Sequence, residues 1–181
     1  MGFAVECRIM SNTDKHMKRS ERLIDFLNEL KETLPMFAEA DFSDISWRNP
    51  EGESALHIAV VRNEFEIAQE LIQLGIEINA RGDLGHTALH EAASMADLRL
   101  VKLLVESGAD VHALSEGVPP FTLARYAEKD DICDYLAIEM KKAQHKEAAW
   151  AKAQIAYLKR EIARIEKQYG LGDSRPPLSR K

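Results

Sequence analysis

The chain has 181 residues, 45% of them hydrophobic, and a formal net charge of −6. That is enough length for a real core and the composition of an ordinary soluble protein, while charges interrupt every apolar run well short of the roughly eighteen residues a bilayer requires. Its two cysteines, Cys7 and Cys133, make no disulfide framework, and Glu6 and Arg8 interrupt the start where a signal peptide would be apolar, so a cytoplasmic protein is expected.

Residues 1–16 show no sustained periodicity and are expected to be disordered. Glu6 also stands where N-myristoylation needs a hydroxyl. Residues 17–48 read as N-terminal capping helices: Leu23, Ile24, Phe26, Leu27 and Leu30 form one apolar stripe, and Pro35 restarts a short helix through Ala40.

From there the chain repeats itself. "GESALHIAV" begins at Gly52 and "GHTALHEAA" at Gly85, an offset of 33 that also pairs Leu71 with Leu104, Gly75 with Gly108 and Ala80 with Ala113. A third copy, "EGVPPFTLARYAEKDDICDYL", follows at an offset of 32, and "DISW" from Asp44 is a half copy ahead of them all. The units span 49–81, 82–114 and a partial 115–142. Each reads as a turn, a short helix, a second helix and a loop. Leu89, Ala92 and Ala93 share one face and Leu100, Val101, Leu103 and Leu104 the next, with Gly108 as a left-handed stop. Neither helix can hide its apolar face alone, so such units must stack.

Residues 143–169 read as a basic amphipathic helix, the end of a glycine-free and proline-free run of about 40 residues from Asp130 that would reach roughly 60 Å. Ala148, Ala151, Ile155, Leu158, Ile162, Ile165 and Tyr169 recur at spacings of 3 and 4, a heptad seam. That seam implies a homodimer through Ile155, Leu158, Ile162 and Ile165, or a helix folded back onto the repeats. In a parallel pair Glu161 would meet Glu166, which favours an antiparallel pair or a different partner. Residues 170–181 are a breaker-rich, flexible tail.

Charge divides along the same line. Residues 1–140 hold 13 Lys and Arg against 26 Asp and Glu, a net of −13, whereas 141–181 hold 11 against 4, a net of +7. An acidic body therefore carries a basic extension, which bears on partners and not on fold.

Together "GHTALHEAA" and "LVKLLVESGADVHA" resemble an ankyrin repeat, whose pattern includes T-P-L-H-x-A at a period of about 33. The resemblance implies an all-α solenoid with short β-turn or hairpin tips, followed by the long helix. Ala55 and Ala88 replace the usual proline, and Asn63 and Ala96 stand where the family has glycine. Asn tolerates a left-handed backbone and Ala does not, so the loop at Ala96 is expected to depart from the standard geometry.

Catalytic and metal-binding candidates fail on inspection. His57 and His90 lie in equivalent positions of stacked repeats, with helices about 8–10 Å apart, too far to share a metal. They are expected to bond the neighbouring turn. "HEAAS" has Ser94 where a zinc-protease helix needs its second histidine. Cys133 reads as a small core residue. No catalytic residue, cofactor or metal is expected.

The resemblance implies binding of a protein partner through the turn tips and the exposed ends of the first helices. Those positions hold Glu51, Glu53 and Arg62 in the first copy, Leu84, His86, Ser94 and Met95 in the second, and Glu116, Val118 and Tyr126 in the third. Leu84, Met95 and Tyr126 would be apolar anchors, with an acidic rim selecting a basic partner. A resemblance to small bacterial ankyrin proteins encoded beside toxins adds a second reading, a dedicated inhibitor or immunity protein of a toxin or nucleic-acid-processing enzyme. A third is nucleic-acid association through Lys141, Lys142, Lys146, Lys152, Lys159, Arg160, Arg164 and Lys167; the acidic body would repel phosphates, which makes it the weakest.

Overall fold

The computed structural model describes residues 19–169, so the expected disordered start and flexible tail lie outside the described residues. The chain divides into two compact units, Met1–Asp134 and Tyr135–Lys181.

In the first unit, helix α1 (Glu21–Thr33) opens on Ser20, whose hydroxyl accepts from the Leu23 N–H at 3.1 Å. Leu23, Phe26, Leu27 and Leu30 are buried as the stripe requires, but Ile24 is exposed. The helix expected from Pro35 to Ala40 is shorter: one 3-10 turn covers Pro35–Phe37. Beyond it, the Asp41 and Asp44 carboxylates capture the N–H groups of Ser43 and Ser46, both at 2.9 Å. Such side-chain bonds offer the backbone an alternative to a helix. Phe37, Phe42 and Trp47 close this end, with ring centroids 5.6 to 6.2 Å apart.

The repeats follow as helix pairs: α2 (Ala55–Val61) with α3 (Phe65–Gln73), and α4 (Ala88–Met95) with α5 (Leu98–Glu106). The third copy supplies α6 (Pro120–Tyr126), and α7 (Asp130–Tyr169) begins where its second helix belongs. First helices pack in one layer, α2 on α4 on α6, and second helices in another, α3 on α5. Helix α1 packs on α3 and so continues the layer of second helices. The cap is thus a half repeat, whose polar outer side ends the stack.

The core runs through both layers: Leu56, Leu71, Leu89, Leu100 and Leu104 are fully enclosed or nearly so. Among the described residues there is no extended strand. The tips carry only isolated antiparallel bridges, Arg48 with Ser54 and Ser115 with Val118.

The helix-to-helix turns differ as their residues dictate. Asn63 takes a left-handed backbone with φ of 56°, whereas Ala96 is extended at φ −84° and ψ −178°. Since Ala resists the left-handed form, α4 runs to Met95, one residue beyond the position where α2 stops. Asn63 holds the altered loop by accepting from the Asp97 N–H at 3.2 Å and donating to the Asp97 carboxylate at 3.3 Å. In the third copy Glu128 occupies this position, left-handed at φ 57°. In the second unit, α7 continues to Tyr169 as one unbroken helix.

Candidate protein-binding face

Each repeat locks its tip to the next through a histidine. The Nδ1 atom of His57 accepts the Ser54 N–H at 3.2 Å, which leaves the proton on Nε2, 3.3 Å from the His86 carbonyl in the following tip. His90 does the same one repeat on, with the Thr87 N–H at 3.1 Å and the Val118 carbonyl at 3.1 Å. The histidine stands three residues after the N-cap, where a capping box usually has Glu or Gln, and it satisfies two repeats at once. Both imidazoles are structural and neutral.

Burial holds both below the ordinary histidine value of 6.5, against the opposing pull of the carbonyl each one faces. The unfolded chain therefore takes up protons at these sites before the folded protein does. The stability that the neutral pair supplies is fully present above about pH 6.5 and is lost as pH falls through that value toward the lower folded pKa. Urea midpoints should be level from pH 8 to about 6.5 and drop by pH 5.5. In a chain with His57→Gln and His90→Gln the slope over that interval should flatten.

Cys133 is a poor nucleophile, since burial, with Asp130 and Asp134 adding to it, pushes its thiol up from 9.0. No group of three or more His, Cys, Asp and Glu among the described residues is placed to hold a metal. No helix among them is long and apolar enough to cross a membrane.

The sequence-predicted contact residues fall into equivalent registers: 51/84/116, 53/86/118, 94/126 and 62/95. Stacking turns each register into a row along the array. Five of the residues serve the fold. Arg62 binds Glu29 at 3.0 Å and lies over the Phe26 ring at 5.8 Å, and Glu53 accepts from the Asn49 amide at 3.0 Å. His86 binds Glu91 at 2.8 Å and stacks on His90. Ser94 donates to the Glu91 carbonyl at 3.1 Å. Val118 is half-buried, and its carbonyl faces His90.

The other five point outward. Leu84, Met95 and Tyr126 are 62%, 61% and 71% exposed, and Glu51 and Glu116 are exposed in the tip row that contains Leu84. Leu84 is held in this position against its own preference. Its φ is 54°, a left-handed backbone that costs a side chain with Cβ about 1–2 kcal/mol. Three contacts over-determine that turn: the Asp83 carboxylate accepts the Leu84 N–H at 2.8 Å, Ser115 donates to the Leu84 carbonyl at 2.6 Å, and Arg81 donates to the Gly85 carbonyl at 3.1 Å. A large apolar side chain is thereby fixed in water rather than packed against its own turn.

Sequence reading missed Leu114, which is 53% exposed in the loop ahead of the third tip. The signal was available: Leu114 takes the register of Arg48 and Arg81, where Arg48 binds Glu77 and Arg81 donates to the Leu114 carbonyl at 2.7 Å.

The model for ankyrin repeats (3 copies) matches residues 21–115, over half of the chain. The chain is an ankyrin-repeat protein. The match starts at α1, in keeping with the cap being a half repeat. No curated protein matches the chain. Ankyrin repeats are protein-protein interaction modules, and the family's fold is a non-catalytic one.

Proposed function

We propose that this ankyrin protein binds a partner protein through Leu84, Met95 and Tyr126, with Glu51 and Glu116 as an acidic rim that favours a basic surface. The observation that carries the reading is Leu84, an apolar side chain exposed at a tip on an unfavourable backbone. Strain of this kind persists only where surrounding contacts enforce it, and it gathers at ligand-binding positions. An exposed apolar anchor with acidic neighbours in its row, as Leu84 has in Glu51 and Glu116, is also the anatomy of a contact centre with a polar rim.

A photo-crosslinker at Tyr126 or Met95 should join the chain to its partner, whereas one at the exposed Glu106 on α5 should not. Met95→Glu with Tyr126→Glu should leave helical circular dichroism intact and weaken binding by about 100-fold or more, because charge enters the contact centre. Undiminished binding by that variant would move the site elsewhere.

The net charge of −13 on residues 1–140 supports a second, finer reading, inhibition of a basic toxin or nucleic-acid-processing enzyme. Stoichiometric loss of such an enzyme's activity on titration is its test. Retention on heparin that vanishes when residues 141–181 are removed would instead favour nucleic-acid association through the basic helix.

A further inference from the structure

The outward face of the first-helix layer is apolar except at one point. On α4 every residue is buried but Glu91, Ser94 and Met95. In the registers of Glu91 and Ser94, α2 presents Ile58 and Val61, and α6 presents Leu123 and Tyr126. Stacking of α2 on α4 on α6 lays these positions side by side, and Val61, 43% exposed, joins Met95 and Tyr126 as an uncovered apolar side chain.

The cations around this face are engaged elsewhere. Arg62 is paired with Glu29, and Lys129 donates to the Ala96 carbonyl at 2.6 Å. Arg125 takes the register of the buried Val60 and Ala93, and its charge acts on the Cys133 thiol. Toward the tips the exposed charges are the acids Glu51, Asp83 and Glu116. Glu91 alone puts a charge among the apolar side chains, and its own side chain is only 22% exposed. His86 donates from Nδ1 to one carboxylate oxygen at 2.8 Å, while the other accepts no hydrogen bond from the described residues. That oxygen depends on solvent. A partner that covers Val61, Met95 and Tyr126 removes the solvent, and a carboxylate stripped of water is costly unless a donor replaces it. A cation with N–H groups replaces it best.

We propose that Glu91 determines the specificity of this face and selects a partner segment in which one Lys or Arg lies among apolar side chains. The inference rests on the binding role of Met95 and Tyr126 proposed above. The acidic tips favour a basic surface in general, whereas Glu91 asks for one basic side chain at one position.

The test selects displayed random peptides of about 12 residues on the full-length chain, long enough when extended to cross three helices about 8–10 Å apart. Peptides that Met95→Glu with Tyr126→Glu weakens are the ones bound at this face. They should share a Lys or Arg whose replacement by Met weakens binding about 10-fold or more. Glu91→Gln should cause a similar loss with an unchanged thermal melt, because Gln keeps an oxygen for His86 and removes only the charge. Combined, the peptide and protein changes should cost little more than either alone. The peptide replacement leaves the protein untouched, so it decides the question whatever the stability of the Gln variant. Face-bound peptides without a shared basic residue, indifferent to Glu91→Gln, or showing losses that simply add, overturn this proposal and leave the binding face standing. A selection that returns no peptide sensitive to Met95→Glu with Tyr126→Glu overturns the binding face itself, and this inference with it.

Discussion

Leu104→Ala should lower the stability of the repeat array by about 2–5 kcal/mol, and Leu89→Ala should do the same. Leu104 lies on α5 and Leu89 on α4, and both are completely enclosed. Truncation removes transfer free energy and leaves a cavity that packed helices refill only in part. The position within the array adds to the consequence. Helix α4 packs on α2, α5 and α6, and α5 packs on α3, so the second copy is the unit through which its neighbours are joined. Stability in a stack is close to a sum of unit and interface terms, and a loss at its centre is felt on both sides. Urea denaturation followed by circular dichroism measures it. Midpoints unchanged in both variants would contradict the packing described above.

Gly52→Ala should cost about 3 kcal/mol, because two separate objections meet at one atom. The backbone there is left-handed at φ +88°, and a Cβ would sit 2.3 Å from the carbonyl oxygen of Arg81. That carbonyl is main chain at the end of the same unit, where the chain enters the next tip, so relief requires backbone and not a flexible side chain to shift. Gly75→Ala is the control. It is equally left-handed at φ +85° but has nothing within 4 Å of the added carbon, so it should cost only about 1 kcal/mol. Equal losses in the two variants would show that backbone conformation alone sets the penalty at Gly52 and that the tip is free to yield.

Much of this molecule is written locally and was legible in the order of its residues. The offset of 33 residues, the paired helices and the stop glycines recur because every unit solves the same burial problem. His57 and His90 could be assigned as ties between repeats from their equivalent positions, and the structure places each Nε2 on the carbonyl of the next tip. The 40-residue span of α7 followed from the absence of Gly and Pro between Asp130 and Tyr169. Ala96 was recognisable as a site of altered geometry, since its side chain excludes the left-handed turn that Asn63 accepts.

What lay beyond the sequence is whatever a residue some thirty positions away decides. Arg62 and Met95 share a register, but Glu29 on α1 draws Arg62 into an ion pair, while Met95 remains 61% exposed. Ile24 belongs to the stripe of α1 by spacing yet is exposed, because α1 packs mainly on α3 and the short 3-10 turn and buries a narrower arc than its sequence offers. Leu84 is left-handed because Asp83, Arg81 and Ser115 fix its turn, and Ser115 arrives from the next repeat. Periodicity selects which side chains can share a face. Which of them are covered depends on the neighbouring repeat, whose approach is set by side-chain and backbone contacts between units that no single unit contains.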